Sequence, residues 1–363
     1  MTDAPLLLTP GPLTTTARTK RAMLTDWGSW DVDFNRLTAA VCARVTRIAG
    51  AGETHVTVPL QGSGTFAVEA AINTLVPRDR KFLIINNGAY GARMAKLSRM
   101  MGLQVEELMV PETEPTDAEA LAARLEADPA ISHVGVIHCE TGTGLLNPLE
   151  ELGVVIEKAG RRMILDAMST FGALPIDLAA LPCDALISSA NKCLEGVPGF
   201  SFIVTGKAAL EAAQGRATSL SLDLADQWAH MAQTGRWRFT PPTHVVSAFH
   251  EALDQYDEEG GRPAREARYR ANWQALVDGM EGLGIGTLLP RAHQAPIIVT
   301  FMAPPTGYEF QSLYDRLKGR GFIIYPGKTT QAETFRIGCI GAIGPDDMAR
   351  LISVIGEELC HAQ

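Results

Sequence analysis

Residues 162–200, RMILDAMSTFGALPIDLAALPCDALISSANKCLEGVPGF, hold two apolar runs that each end in polar chemistry. Met163-Ile164-Leu165 leads directly into Asp166, and Ala185-Leu186-Ile187 leads into Ser188-Ser189-Ala190-Asn191-Lys192. Short apolar runs bounded by proline, glycine and small polar residues read as buried strands. The lysine is followed by Gly196-Val197-Pro198-Gly199 and a further apolar run from Phe200 to Val204, which places it on a tight turn. Taken singly, an aspartate after a strand reads as a cap or turn residue, and a lysine there as a solvated surface charge. Their shared placement at strand ends argues for a common site.

An acid at the tip of one strand and a lysine just past the next form the pair that pyridoxal 5'-phosphate chemistry needs. The lysine amine bonds to the cofactor aldehyde, and the aspartate keeps the pyridine nitrogen protonated so that the ring draws electrons. Lost solvation and a neighbouring cationic ring would both lower the lysine pKa and free its amine for attack.

Upstream, the alternating run His55 to Leu60 delivers the chain into Gln61-Gly62-Ser63-Gly64-Thr65-Phe66-Ala67. Glycines between a strand and a helix leave backbone N–H groups converging on an anion at the helix N-terminus, and Ser63 and Thr65 add hydroxyl donors. Gly62-x-Gly64-x-x-Ala67 also satisfies the loose dinucleotide fingerprint. That fingerprint expects an acid at the next strand tip, but Lys81 to Ile85 ends in Asn86-Asn87-Gly88. A single phosphate therefore suits the turn better than a pyrophosphate, and a purely structural turn is the remaining alternative.

Other strand ends add candidates. Tyr90, in the loop Asn86 to Gly91, can lie on a flat ring or belong to the core. Val134 to His138 ends in Cys139-Glu140-Thr141-Gly142-Thr143-Gly144, where Thr141 can donate toward a cofactor or hold Asp166; His138 and Glu140 read as structural. Arg336 sits inside an apolar strand, Phe335 to Gly341, and must pair with a fixed carboxylate or await an anionic substrate group; the substrate reading is favoured.

Strands alternating with helices to about residue 205 predict an α/β fold with a mainly parallel sheet, whose ligands lie outside the carboxyl ends of the strands. The remaining expectations are helices over 37–48, 117–125 with Thr116 as cap, 208–215 and 245–255, a less regular stretch over 219–238, and strands over 295–301 and 322–325. A helix over 265–283 is expected to dock on the larger domain, and another covers 310–321. Trp27 and Trp30 read as plugs in a polar loop. Three units follow: an N-terminal arm (1–20), a large domain (21–260) and a small C-terminal domain (261–363).

The chain has 363 residues, 46% of them hydrophobic, and a formal net charge of -9. That balance argues against nucleic-acid and anionic-membrane partners. The six cysteines form no CxxC pair and no Cys/His ligand spacing, so neither a metal site nor a disulfide framework is expected, and a reducing cytoplasm is. No leader and no membrane span is evident.

Several segments carry a family resemblance. Leu8-Thr9-Pro10-Gly11-Pro12, Asp26-Trp27-Gly28-Ser29-Trp30-Asp31, Asn87-Gly88-Ala89-Tyr90-Gly91, Asn191 to Phe200, Arg238-Phe239-Thr240-Pro241-Pro242-Thr243 and Phe335 to Gly341 resemble the class-V, fold-type I pyridoxal-phosphate-dependent aminotransferases. They are most similar to the branch shared with alanine–glyoxylate and serine–pyruvate aminotransferases. The resemblance implies a large domain with a mainly parallel seven-stranded sheet and a smaller C-terminal α+β domain. Lys192 would carry the cofactor and move protons, Asp166 would face the ring nitrogen, and Ser63, Gly64, Thr65 and Asn191 would hold the phosphate. Tyr90 would stack on the ring, Thr141 would sit at its edge, and Arg336 would bind the acidic group of the substrate. Thr240 would reach the phosphate of the other subunit, which implies a homodimer with shared sites. The finer matches imply amino transfer from 2-aminoethylphosphonate to pyruvate. Alanine– or serine–glyoxylate chemistry is the nearest alternative, and a nicotinamide-dependent oxidoreductase a distant one.

Overall fold

The computed structural model describes residues 4–304, 309–329 and 332–360. Its centre is a seven-stranded sheet. From one edge to the other the strands are His55–Gln61, Phe200–Gly206, Cys183–Ser189, Arg162–Asp166, Ile131–Ile137, Lys81–Asn86 and Gln104–Met109. Phe200–Gly206 runs antiparallel to both of its neighbours, and the other pairings are parallel. Alternate residues of one strand feed opposite faces: Leu83 and Ile85 join one apolar cluster, Phe82 and Ile84 the other. Burial on both faces explains why these strands read as continuous apolar runs. Helices Val32–Ile48, Leu149–Lys158 and Thr243–Glu259 cover the first face, and Gly64–Leu75 and Ala89–Met100 the second.

A three-stranded antiparallel sheet, in the order Ile298–Met302, Thr334–Gly338, Tyr325–Pro326, carries its own apolar cluster with the helices Gly261–Gly282, Phe310–Gly319 and Pro345–Cys360. The N-terminal arm joins it, since Leu6–Leu7 pairs in parallel with Phe322–Ile323. Past its prolines, Thr16 of the run Thr14-Thr15-Thr16 caps a short helix, Ala17–Arg21, as the threonines of the arm lead one to expect. Between the long helices, Gly260 and Gly261 adopt φ of 111° and 71°, a left-handed break that turns the chain from Thr243–Glu259 into Gly261–Gly282.

Several local expectations are corrected. The stretch 219–238 contains a helix, Leu224–Thr234, capped by the Asp223 side chain and closed by Gly235 at φ 70°. The helix Ala118–Ala127 is capped by Asp117; Thr116 instead gives its N–H and hydroxyl to Asn147. Residues 322–325 do not make one strand but two short pieces, Phe322–Ile323 and Tyr325–Pro326, on different sheets. The helix expected to dock on the larger domain packs Leu276, Val277 and Met280 into the C-terminal cluster instead. Only its first turns reach the lysine-bearing turn, through Arg265, Arg268 and Tyr269.

Candidate active site

A cavity of about 390 Å3 opens at the carboxyl ends of the central strands, lined among others by Ser63, Gly64, Thr65, Tyr90, Asp166, Asn191 and Lys192. Asp166 ends its strand, paired with Ile137 on one side and Ile187 on the other, so strand register alone sets its depth. Its Oδ1 accepts the Met168 N–H at 2.9 Å. Burial pushes its carboxyl up to about 6, against the pull of that N–H, Lys192 and Arg93. Lys192 follows the neighbouring strand and its amine is held below the usual lysine range, chiefly by desolvation.

Ser63 stands at the N-cap of Gly64–Leu75 yet makes no capping hydrogen bond. A capping serine that leaves its helix end open presents that end, with the helix dipole, to an outside anion. Gly62, at φ 120°, makes the turn, and a Cβ on Gly64 would strike the side chain of Met168, which lines the cavity. An anion cradle at one end, a carboxylate on one wall and a desolvated amine between them fit a flat, phosphorylated aldehyde.

The lysine contact was not evident in the sequence. Lys192 Nζ donates to the Pro10 carbonyl at 2.8 Å, so the N-terminal arm crosses the site. Gly11, at φ 115°, passes so close that a Cβ there would lie 2.6 Å from Lys192 Cδ. The arm then meets the Arg336 strand, where the Gly338 N–H donates to Leu8 O at 2.9 Å. Thr9-Pro10-Gly11-Pro12 was the available signal; nothing local in it points to a residue 182 positions away.

Tyr90 lies in the first turn of Ala89–Met100, not in a loop. Its N–H donates to Glu140 Oε2 at 2.9 Å, and Gly142 N–H donates to Glu140 Oε1 at 3.0 Å. Glu140 thus ties the Tyr90 turn to the Thr141 turn; burial pushes its carboxyl up to about 7. His138 faces elsewhere, its Nδ1 at 2.9 Å from the Thr170 hydroxyl, and burial lowers it to about 4.

Arg336 is 1% exposed. Its Nε donates to Pro326 O at 2.8 Å and its Nη1 to Thr141 O at 2.7 Å. Among the described residues no carboxylate forms an ion pair with it, so its charge is left for an outside anion. Thr141 is buried and meets Arg336 through its carbonyl, while neither residue lines the cavity that holds Lys192. Thr240 lies apart as well, exposed in a separate groove with Gln61, Phe66, Trp237 and Phe239. Of the two loop tryptophans, Trp27 packs on Phe34, whereas Trp30 is exposed beneath the Arg236 guanidinium.

A buried ionic network braces the lysine turn. Glu195 holds φ 56°, unusual for a residue with a Cβ, and its Oε1 accepts from Tyr269 Oη at 2.6 Å and Arg268 Nη2 at 2.7 Å. Arg265 donates to Cys193 O and, at 2.7 Å, to Glu259. Arg268 also donates to Gly341 O, just past the Arg336 strand. One network therefore grips the lysine turn, the Gly260–Gly261 break and the Arg336 segment.

Among the described residues, no helix is long and apolar enough to cross a membrane, and no group of three or more His, Cys, Asp or Glu is placed to hold a metal ion.

The sequence profile of aminotransferase class V matches residues 28–337. A protein of Pseudomonas putida named 2-aminoethylphosphonate–pyruvate transaminase is 57% identical over 360 residues, covering 99% of this chain and 98% of that one. One of the same name from Pseudomonas entomophila is 58% identical with the same coverage. Among solved structures, alanine–glyoxylate aminotransferase from Nostoc superposes with a TM-score of 0.92 at 25% identity, covering 99% of this chain and 96% of that one.

Proposed function

The chain belongs to the class-V aminotransferase family, and from that premise we propose that it moves the amino group of 2-aminoethylphosphonate to pyruvate, giving phosphonoacetaldehyde and L-alanine. The observation that carries the substrate assignment is identity of 57% over 99% of the chain to a transaminase named for that pair. The open helix end at Ser63, the buried Asp166 and the desolvated Lys192 agree with it.

Pyridoxal 5'-phosphate is the cofactor of this reading; once bound it supplies an electron sink for the carbon that carries the amine. The N–H groups of Gly64 and Thr65, with the Ser63 and Thr65 hydroxyls and Asn191, hold its phosphate. Asp166 would keep a proton on the ring nitrogen, and Tyr90 would pack against the ring. Lys192 is the covalent anchor. Its Nζ would also take a proton from the aminated carbon of the donor and hold it for return. Desolvation helps, because the amine must be neutral to accept that proton. Arg336 anchors the phosphonate of the donor and then the carboxylate of pyruvate, with Thr141 holding the guanidinium in place.

The reading includes a homodimer. Thr240 is exposed outside the cavity of its own chain and lies in a groove of about 320 Å3 with Phe66, next to the glycine turn, as expected of a residue that serves the partner's phosphate. It also includes the division into an arm, a large domain to residue 260 and a small domain beyond it, and a cytoplasmic location.

Product analysis tests the assignment. Incubation with 2-aminoethylphosphonate and pyruvate should yield phosphonoacetaldehyde and alanine in equal amounts. Amino transfer from alanine or serine to glyoxylate, with none from the aminophosphonate, would refute it.

A further inference from the structure

Arg336 has limited capacity for an anion. Two of its nitrogens, Nε and Nη1, already donate to Pro326 O and Thr141 O. The hydrogens that remain, on Nη2 and the second on Nη1, match the two oxygens of a carboxylate. A phosphonate carries three oxygens and can bear a second negative charge. Glu140 lies close enough to Arg336 to act on its charge, so part of the local positive field is already offset. A site that takes both groups in turn needs another cation for the larger one.

Lys328 is placed to be that cation. It follows Pro326 and Gly327 on the segment that receives the Arg336 Nε hydrogen bond. Its ammonium lies 5.5 Å from the centroid of the Tyr90 ring. A Cβ built on Gly142, the residue after Thr141, would stand 4.0 Å from Lys328 Cβ. Its charge also reaches Lys192, whose amine it pushes down. Among the described residues it forms no ion pair and no hydrogen bond with protein, so its ammonium is free to serve a ligand. The other cation at Tyr90, Arg93, sits 4.9 Å from the ring centroid and lines the cavity with Ser63 to Thr65, toward the cofactor end.

We propose that Lys328 is the second cation of the substrate subsite, taking the third oxygen and extra charge of the phosphonate and so favouring it over a carboxylate. The proposal rests on the phosphonate reading and deepens it. Pyruvate, with its single carboxylate, is served by Arg336 without Lys328. Tyr90 sets the reach of the lysine, since its ring packs beside the ammonium and Glu140 fixes its turn.

The test compares cofactor-loaded wild type with Lys328→Met, which keeps most of the stem, and Lys328→Arg, which keeps the charge. In Lys328→Met, KM for 2-aminoethylphosphonate should rise about tenfold or more, as expected for loss of one charge-assisted hydrogen bond. Its kcat and the KM for pyruvate should stay within about twofold, and Lys328→Arg should recover most of the loss. A second readout is equilibrium binding of unreactive ethylphosphonate and propionate, followed by thermal shift. Lys328→Met should weaken the phosphonate and spare propionate. Equal shifts for both anions, or no shift for either, would overturn the proposal. If the wild type does not use 2-aminoethylphosphonate at all, the proposed function fails separately, and the ethylphosphonate–propionate comparison still decides whether Lys328 discriminates.

Discussion

At one end of the cavity, Asp166, Asn191 and Lys192 stand at or just past the tips of adjacent parallel strands, and sheet register fixes them. Outside that cavity, Arg336 meets Thr141 across 195 positions of sequence, and Lys328 arrives from a third segment. The first end is also braced by the Glu195, Arg265, Arg268 and Glu259 network, whose ions are mutually satisfied. The second region holds a buried guanidinium tied, among the described residues, to backbone carbonyls and to no carboxylate. A satisfied ionic network gives rigidity, whereas a buried charge without a counter-ion is held in reserve for a ligand. On the proposed function, the contrast separates a region where chemistry would be fixed from one that would accept two different anions.

Substitutions at the strand tips should have the largest effects. Lys192→Ala would remove both proposed anchor and proton carrier, so turnover should fall about a thousandfold or more, measured as alanine formed per unit time. Survival of substantial activity would break the contrast at its firmest point.

Asp166→Asn should lower kcat about a hundredfold and weaken the cofactor, because an amide cannot hold the ring nitrogen cationic. The acid end of the pH profile follows from the same group. Burial pushes its carboxyl up to about 6, and a cationic ring nitrogen would lower it. Cofactor affinity should therefore be full above about pH 6 and fall as pH drops below it, approaching tenfold per unit. Titration of the bound cofactor against pH checks this; an affinity that rises below pH 6 would reverse the assignment.

At the substrate end, Arg336→Lys keeps the charge and loses the fork. KM for both 2-aminoethylphosphonate and pyruvate should rise about tenfold, with a smaller change in kcat. A loss confined to kcat would place Arg336 with the chemistry instead. Smallest is Thr240→Ala, which removes one neutral donor from the phosphate. Half-saturation by the cofactor should need about fivefold more of it, read by fluorescence titration.

The two ends also differ in how far sequence exposes them. Asp166 and Lys192 are legible because short apolar runs end at them, and a strand tip in a parallel sheet has one place to go. Ser63 to Thr65 are legible for a similar local reason, a glycine turn between strand and helix. Pro10 on Lys192, Glu140 under Tyr90 and Thr141 on Arg336 are contacts between distant segments, and no local periodicity encodes them. Arg336 was singled out by its apolar neighbours, but its partners proved to be carbonyls. The helix Leu224–Thr234 carries local signals, with Asp223 and Gly235 at its ends and Leu224, Trp228 and Met231 at helical spacing, so its ends and stripe were legible in the sequence.

Reduction of the cofactor-loaded protein with borohydride, followed by peptide mass mapping, tests the covalent assignment most directly. The cofactor mass should appear on the peptide that contains Lys192, and the yellow colour should be lost with it. Attachment at another amine, Lys328 included, or no attachment at all, would contradict the central claim.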